Sequence, residues 1–189
     1  MLHDVYISLP VHSEIASMNF ELFDWNTAIE YFQASVDHRK EWEFKNFSNR
    51  AVRIATAKEE FNDVTLPSLA SHNAELIPQV SFIRKAIEEK HHISRTTHRV
   101  NCHMFISLVS ESEGLQWHND NMDTYIWQVI GQTKWELQMG PAEDDPIEEF
   151  VLQPNEMIYI PKYWRHKPTI IEPRVSVSFS IEEGLYDAT

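Results

Sequence analysis

His118 and Asp120 stand two residues apart in the run Gln116-Trp117-His118-Asn119-Asp120, and another histidine, His166, follows far downstream in Tyr163-Trp164-Arg165-His166. Two imidazoles and one carboxylate can hold a divalent metal on one face and leave its other positions open. Non-haem Fe(II) centres that must also bind a co-substrate and O2 use that ligand pattern. Alternation along an extended chain puts His118 and Asp120 on the same side and Asn119 on the other. The tripeptide alone is a weak signal, so its weight depends on the sequence around it.

His166 has to be brought to the pair, and the elements between them decide whether it can be. The first half of the chain reads as helical. Asp24-Trp25-Asn26-Thr27 offers N-cap side chains, with Trp25, Ile29, Phe32 and Val36 following at helical spacing. A second helix is predicted over about 74–90, with Leu76, Ile77, Val80, Ile83, Ala86 and Ile87 on one face. Pro67 and Ser71-His72-Asn73 break the connection between the two. From Val100 the pattern becomes one of short strands: Asn101 to Val109, Thr124 to Ile130, Lys134 to Met139 and Arg174 to Ile181. Ser110 to Gly114 and the acidic stretch Gly140 to Glu149 read as loops, and Phe150–Leu152 with Met157–Ile160 as a hairpin-like pair about Pro154-Asn155-Glu156. The expectation is one domain over 1–189, helical to about residue 95. Its core, over about 100–182, is an antiparallel barrel or sandwich in which strands can pass and return between the ligands.

Residues 100–181 resemble the cupin-type JmjC oxygenases, in particular the ribosomal-protein hydroxylases and the asparaginyl hydroxylase of hypoxia signalling. One block is Gly114 to Asp120, followed by Asp123-Thr124-Tyr125-Ile126-Trp127-Gln128 and Gly131 through Trp135; the other runs from Leu152 to His166. The resemblance implies a mainly β double-stranded β-helix (cupin, or jelly-roll, core) with the N-terminal helices packed outside. It implies that His118, Asp120 and His166 bind Fe(II), that 2-oxoglutarate chelates the metal, and that O2 is consumed in hydroxylating a C–H bond with succinate as co-product. Halogenating relatives carry a small residue in place of the carboxylate, so Asp120 points to hydroxylation. A peptide or protein side chain, or a small molecule, is the implied substrate, and the helical N-terminus implies a homodimer.

The chain departs from the family pattern in one place. Many relatives carry Lys or Arg two residues after Gly131 to pair with the distal carboxylate of 2-oxoglutarate, whereas here Thr133 stands there and Lys134 follows. A threonine can hydrogen-bond a carboxylate but cannot neutralise it. Arg174 is the candidate replacement, sharing one strand face with Ser176, Ser178 and Ser180, while Val175, Val177, Phe179 and Ile181 share the other. Tyr125 is a further candidate contact for the co-substrate. Thr133 also keeps open a metal cupin that does not use 2-oxoglutarate, and the aromatic-rich barrel a non-catalytic binding or dimerisation module.

Other polar residues read more plainly. Trp117, Trp127, Trp135 and Trp164 are core by default, with Trp117 and Trp164 placed to line a pocket beside the ligands. Gln128 either reaches inward or caps a neighbouring strand, and Asn101 and His103 share a strand face. His91, His92 and His98 lack a carboxylate or cysteine at ligand spacing and read as a solvated helix end. Cys102 has no catalytic partner on its own face, and as the single cysteine it fits a reducing compartment. No run approaches the roughly 18 apolar residues of a membrane span, so the expectation is a cytoplasmic protein without a membrane partner. A net charge of −13 repels phosphate backbones over a Debye length of roughly 8–10 Å, which argues against a nucleic-acid partner.

Overall fold

The computed structural model describes residues 6–7, 24–29, 63–66, 78–93, 98–107, 110–113 and 115–183. Two short strands, β1 (Tyr6–Ile7) and β2 (Asp63–Leu66), precede helix α1 (Pro78–Lys90). Eight strands follow: β3 (His98–Ser107), β4 (Ser112–Glu113), β5 (Asp123–Ile130), β6 (Thr133–Gln138), β7 (Ile147–Leu152), β8 (Met157–Ile160), β9 (His166–Ile170) and β10 (Arg174–Glu183). They form a six-stranded sheet in the order β1-β8-β5-β10-β3-β2 and a four-stranded sheet in the order β4-β9-β6-β7. From β3 to β10 every connection changes sheet except the β6–β7 hairpin, and the pairings are antiparallel. This is a double-stranded β-helix, as the resemblance implies.

The large sheet is covered on both sides, for two different reasons. On its outer side Val100, Cys102 and Met104 of β3, Tyr125 and Trp127 of β5, and Val175, Val177 and Phe179 of β10 pack with Val80, Ile83 and Ile87 of α1. Each such side chain contributes roughly 1.5–3 kcal/mol when fully buried. On the inner side Ile126, Ile158 and Ile160 meet Trp135, Leu137 and Leu152 of the smaller sheet. Strand β10 is buried over eight consecutive residues, yet its inward set is Arg174, Ser176, Ser178 and Ser180. The centre of the barrel wall is therefore polar. Cys102 lies in the outer core, where burial pushes its thiol up to about 12, far from a reactive thiolate.

The helical expectations are met at residues 25–29 and Pro78–Lys90, but Tyr6–Ile7 and Asp63–Leu66, within the region read as helical to about residue 95, are edge strands of the large sheet. Asp24 caps a turn at 25–29 by accepting the Thr27 backbone N–H at 2.9 Å, and hydrogen bonds from Thr27 hold its carboxyl below the ordinary value. The continuation to Phe32 and Val36, the linker around Pro67 and residues 71–73, and residues 74–77 lie outside the described residues. Helix α1 starts at Pro78, where a missing N–H costs nothing. Among the described residues no helix is long and apolar enough to cross a membrane.

Three strand assignments are corrected. Phe150–Leu152 and Met157–Ile160 are not a hairpin: β7 pairs β6 and β8 pairs β5, so the turn at 153–156 carries the chain from one sheet to the other. Asn155 in that turn takes a positive φ of 68° and donates its N–H to the Gln128 carbonyl at 2.7 Å. Residues 147–149 belong to β7 rather than to the acidic loop, and β4 lies within the stretch read as a loop.

The β5–β6 crossover depends on one glycine. Gly131 has φ +69°, and a Cβ there would overlap the Pro173 carbonyl. Gly131→Ala is expected to lower unfolding stability by roughly 2–3 kcal/mol, the cost of a strained left-handed residue, measured as the shift of the urea midpoint. A change of a few tenths would mean that the crossover relaxes freely.

Candidate metal centre and co-substrate pocket

His118 lies just before β5 and His166 opens β9, and their backbones meet in an isolated antiparallel bridge. The His118 N–H donates to the His166 carbonyl at 3.1 Å, and the His166 N–H donates back at 2.8 Å. Tyr163, at φ 70°, donates its N–H to the Asp120 carbonyl at 2.7 Å. These three bonds staple the two ligand-bearing segments together, which is how residues far apart in sequence come to share one face. Asp123 adds a brace: its Oδ1 accepts the Tyr159 hydroxyl at 2.8 Å and the Lys162 N–H at 3.0 Å.

The ligand atoms of His118, Asp120 and His166 all lie within 4.8 Å of one another. The two imidazole centroids are 4.2 Å apart, and His166 Nε2 is 3.7 Å from Asp120 Oδ2. His118 Nδ1 sits 2.6 Å from the Gln116 carbonyl, and His166 Nδ1 sits 3.0 Å from the Trp164 carbonyl. A carbonyl only accepts, so each Nδ1 carries the proton and each Nε2 offers a lone pair. Burial first, and the adjacent His118 second, push His166 down to about 4. His166 is therefore a neutral imidazole facing a carboxylate near neutral pH. The donor set fits a divalent metal, and among the described residues no other such group occurs.

Deeper in the barrel the inward side chains form a second constellation. Arg174, 2% exposed, donates from Nε to Ser107 Oγ at 3.2 Å, and from Nη1 to Thr133 Oγ1 at 3.1 Å and Ser176 Oγ at 3.5 Å. Gln128 Oε1 accepts from Thr133 at 3.1 Å and from Ser176 at 2.9 Å. Its Nε2 donates to the Ile130 carbonyl at 2.7 Å. A cation is thus held inside the barrel among hydroxyls.

The candidates divide by strand phase. Thr133, Arg174 and Ser176 come together. Lys134, one residue from Thr133, takes the opposite side of β6 and pairs with Glu149 at 2.8 Å, so it does not reach the pocket. Tyr125 also falls on the wrong side. Its hydroxyl sits 2.7 Å from His91 Nε2 in the outer core, under Lys90, and burial pushes the phenol up to about 12. For the same reason His91 is not part of a solvated helix end: it is half-buried against Tyr125 and Tyr159. Ser107 was not singled out from the sequence, although alternation from Asn101 and His103 along β3 leads to it, directly opposite Arg174. Asn101 and His103 occupy that inward face, and burial lowers His103. Trp164 packs against the inner cluster, whereas Trp117 lies at the rim with the Arg165 guanidinium 5.6 Å from its ring centroid.

Residues 75–187 match the family model described as "JmjC domain". The chain is similar to the bifunctional lysine-specific demethylase and histidyl-hydroxylase NO66 of Drosophila persimilis, 28% identical over 71 residues, covering 30% of this chain and 10% of that protein. Among solved structures it is similar to the Escherichia coli ribosomal oxygenase YcfD, with 16% identity and a TM-score of 0.48 over 64% of this chain and 31% of that one. YcfD in complex with cobalt and 2-oxoglutarate is 20% identical, with a TM-score of 0.42 over 52% and 28% of the two chains. The chain thus spans about a tenth of the NO66 relative and about a third of YcfD.

Proposed function

The chain belongs to the JmjC domain family, and from that premise we propose that it is an Fe(II)- and 2-oxoglutarate-dependent dioxygenase that hydroxylates a C–H bond. The observation that carries this reading is the pairing, inside one barrel, of an open His118-Asp120-His166 face with the buried Arg174 guanidinium below it. Bound Fe(II) would supply the activation of O2 that couples conversion of 2-oxoglutarate to succinate and CO2 with placement of one oxygen atom in the substrate C–H bond.

The chain's own residues have separable tasks. His118, Asp120 and His166 hold the metal, and the Gln116 and Trp164 carbonyls keep both imidazoles in the tautomer that presents Nε2. Arg174, with Thr133 and Ser176, takes the distal carboxylate of 2-oxoglutarate. The charge that many relatives place on β6 is supplied here from β10, and Thr133 keeps a hydrogen-bonding part. Ile126, Leu137, Ile158 and Ile160 pack as an apolar cluster between the two sheets, which limits water and strengthens each electrostatic contact.

We assign the substrate to the class of peptide or protein side chains. The Asp120 side chain is 41% exposed and the ligands open at a rim formed by Trp117 and Arg165, so a side chain presented from outside can reach them. The NO66 relative is named for acting on lysine and histidine side chains. Succinate formation with stoichiometric O2 uptake, dependent on Fe(II) and stimulated by a peptide substrate, is the expected result. Metal-loaded protein that leaves 2-oxoglutarate unconverted, with and without peptides, would overturn the proposal.

A further inference from the structure

Among the described residues, two buried side-chain polar atoms have no hydrogen-bond partner: Thr124 Oγ1 and Trp135 Nε1. They are not equivalent. A hydroxyl rotates and can donate or accept, whereas an indole N–H only donates and points one way, so it needs an acceptor at one place. Buried tryptophans ordinarily find such an acceptor. Trp135 is 4% exposed, and its cluster neighbours Ile126, Leu137, Leu152, Ile158 and Ile160 have no side-chain acceptor to offer.

Strand register shows what flanks Trp135 on that inward face. Two residues before Trp135 on the same inward face, Thr133 accepts the Arg174 guanidinium. Two residues after it, Leu137 pairs with the metal ligand His166 across β6 and β9, while Trp135 itself pairs with Pro168. The Trp135 and His166 rings are 5.9 Å apart between centroids. The indole therefore lies on the wall between the metal face and the buried cation, about 7 Å of strand from either level. A 2-oxo dicarboxylate held at both ends has to run past it.

We propose that the Trp135 indole N–H donates a hydrogen bond to an oxygen of the bound 2-oxo acid, making Trp135 a co-substrate-binding residue; this rests on the dioxygenase reading above. The competing acceptor is a buried water.

The test uses protein loaded with Zn(II), which is diamagnetic and redox-silent, and labelled with 15N at its six tryptophans. The Trp135 indole resonance is identified by its disappearance in Trp135→Phe. Adding 2-oxoglutarate to the wild type is expected to move that resonance. Trp135→Phe is expected to weaken 2-oxoglutarate binding roughly ten- to a hundredfold, the range for losing a hydrogen bond to a charged acceptor, with Zn(II) affinity unchanged. Wild-type protein that binds 2-oxoglutarate with the resonance unmoved, or a Phe variant that binds it equally well, overturns the proposal and leaves the dioxygenase reading standing. Wild-type protein that holds Zn(II) and binds no 2-oxoglutarate overturns both. Should the Phe variant not fold, the wild-type resonance, assigned through its proximity to His166, still decides.

Discussion

Asp120→Ala is expected to abolish succinate formation and to weaken divalent-metal binding by more than the roughly 10–100-fold that loss of an outer-shell partner costs. Asp120 is the only anionic member of the ligand set, and without it two neutral imidazoles remain to hold a doubly charged ion. The backbone staple does not depend on the carboxylate, because Tyr163 donates to the main-chain carbonyl of Asp120. The variant should therefore keep the wild-type unfolding midpoint of its metal-free form while losing the metal in calorimetric titration. Retention of metal affinity within a few-fold would remove Asp120 from the ligand set.

Arg174→Met is expected to raise the dissociation constant for 2-oxoglutarate about a hundredfold or more. Truncating one partner of a buried charge pair costs 2–5 kcal/mol or more, much of it from leaving the other charge unpaired. The effect has to be selective for the distal carboxylate. A 2-oxo monocarboxylate, which has nothing to offer the guanidinium, should bind wild type and variant alike. Titrating both acids into Zn(II)-loaded protein separates the two cases. Equal losses for the two ligands would mean that Arg174 supports the barrel through Ser107, Thr133 and Ser176 rather than receiving the co-substrate.

The candidate ligand set, whose atoms the fold brings within 4.8 Å of one another, was legible in the sequence because the chemistry is local: His118 and Asp120 sit in one tripeptide, and His166 lies in a block whose order repeats the family's. Strand β10 was legible because its two faces differ in chemistry, Arg and Ser against Val, Phe and Ile. Tyr125 was misread because β5 is buried on both sides. An apolar run of that kind does not reveal which set faces the barrel interior and which faces α1. Lys134 was considered beside Thr133, yet a one-residue step along a strand sends a side chain to the other face. Strand β9 was missed because His-Lys-Pro-Thr-Ile is short and carries a proline at its centre; it forms because β4 and β6 flank it. The false hairpin came from a Pro-Asn turn signal that is satisfied equally by a crossover between sheets.

A barrel that binds iron at its mouth and a 2-oxo dicarboxylate beneath it has a spectroscopic signature. Anaerobic titration of Fe(II)-loaded protein with 2-oxoglutarate tests this most directly, by following the weak visible charge-transfer absorption of an iron–2-oxo acid chelate. A saturable band, absent in Asp120→Ala and shifted to much higher 2-oxoglutarate concentration in Arg174→Met, is the predicted result. Stoichiometric Fe(II) binding with no band at any 2-oxoglutarate concentration would contradict it, and would leave a metal cupin in which Arg174 serves another ligand.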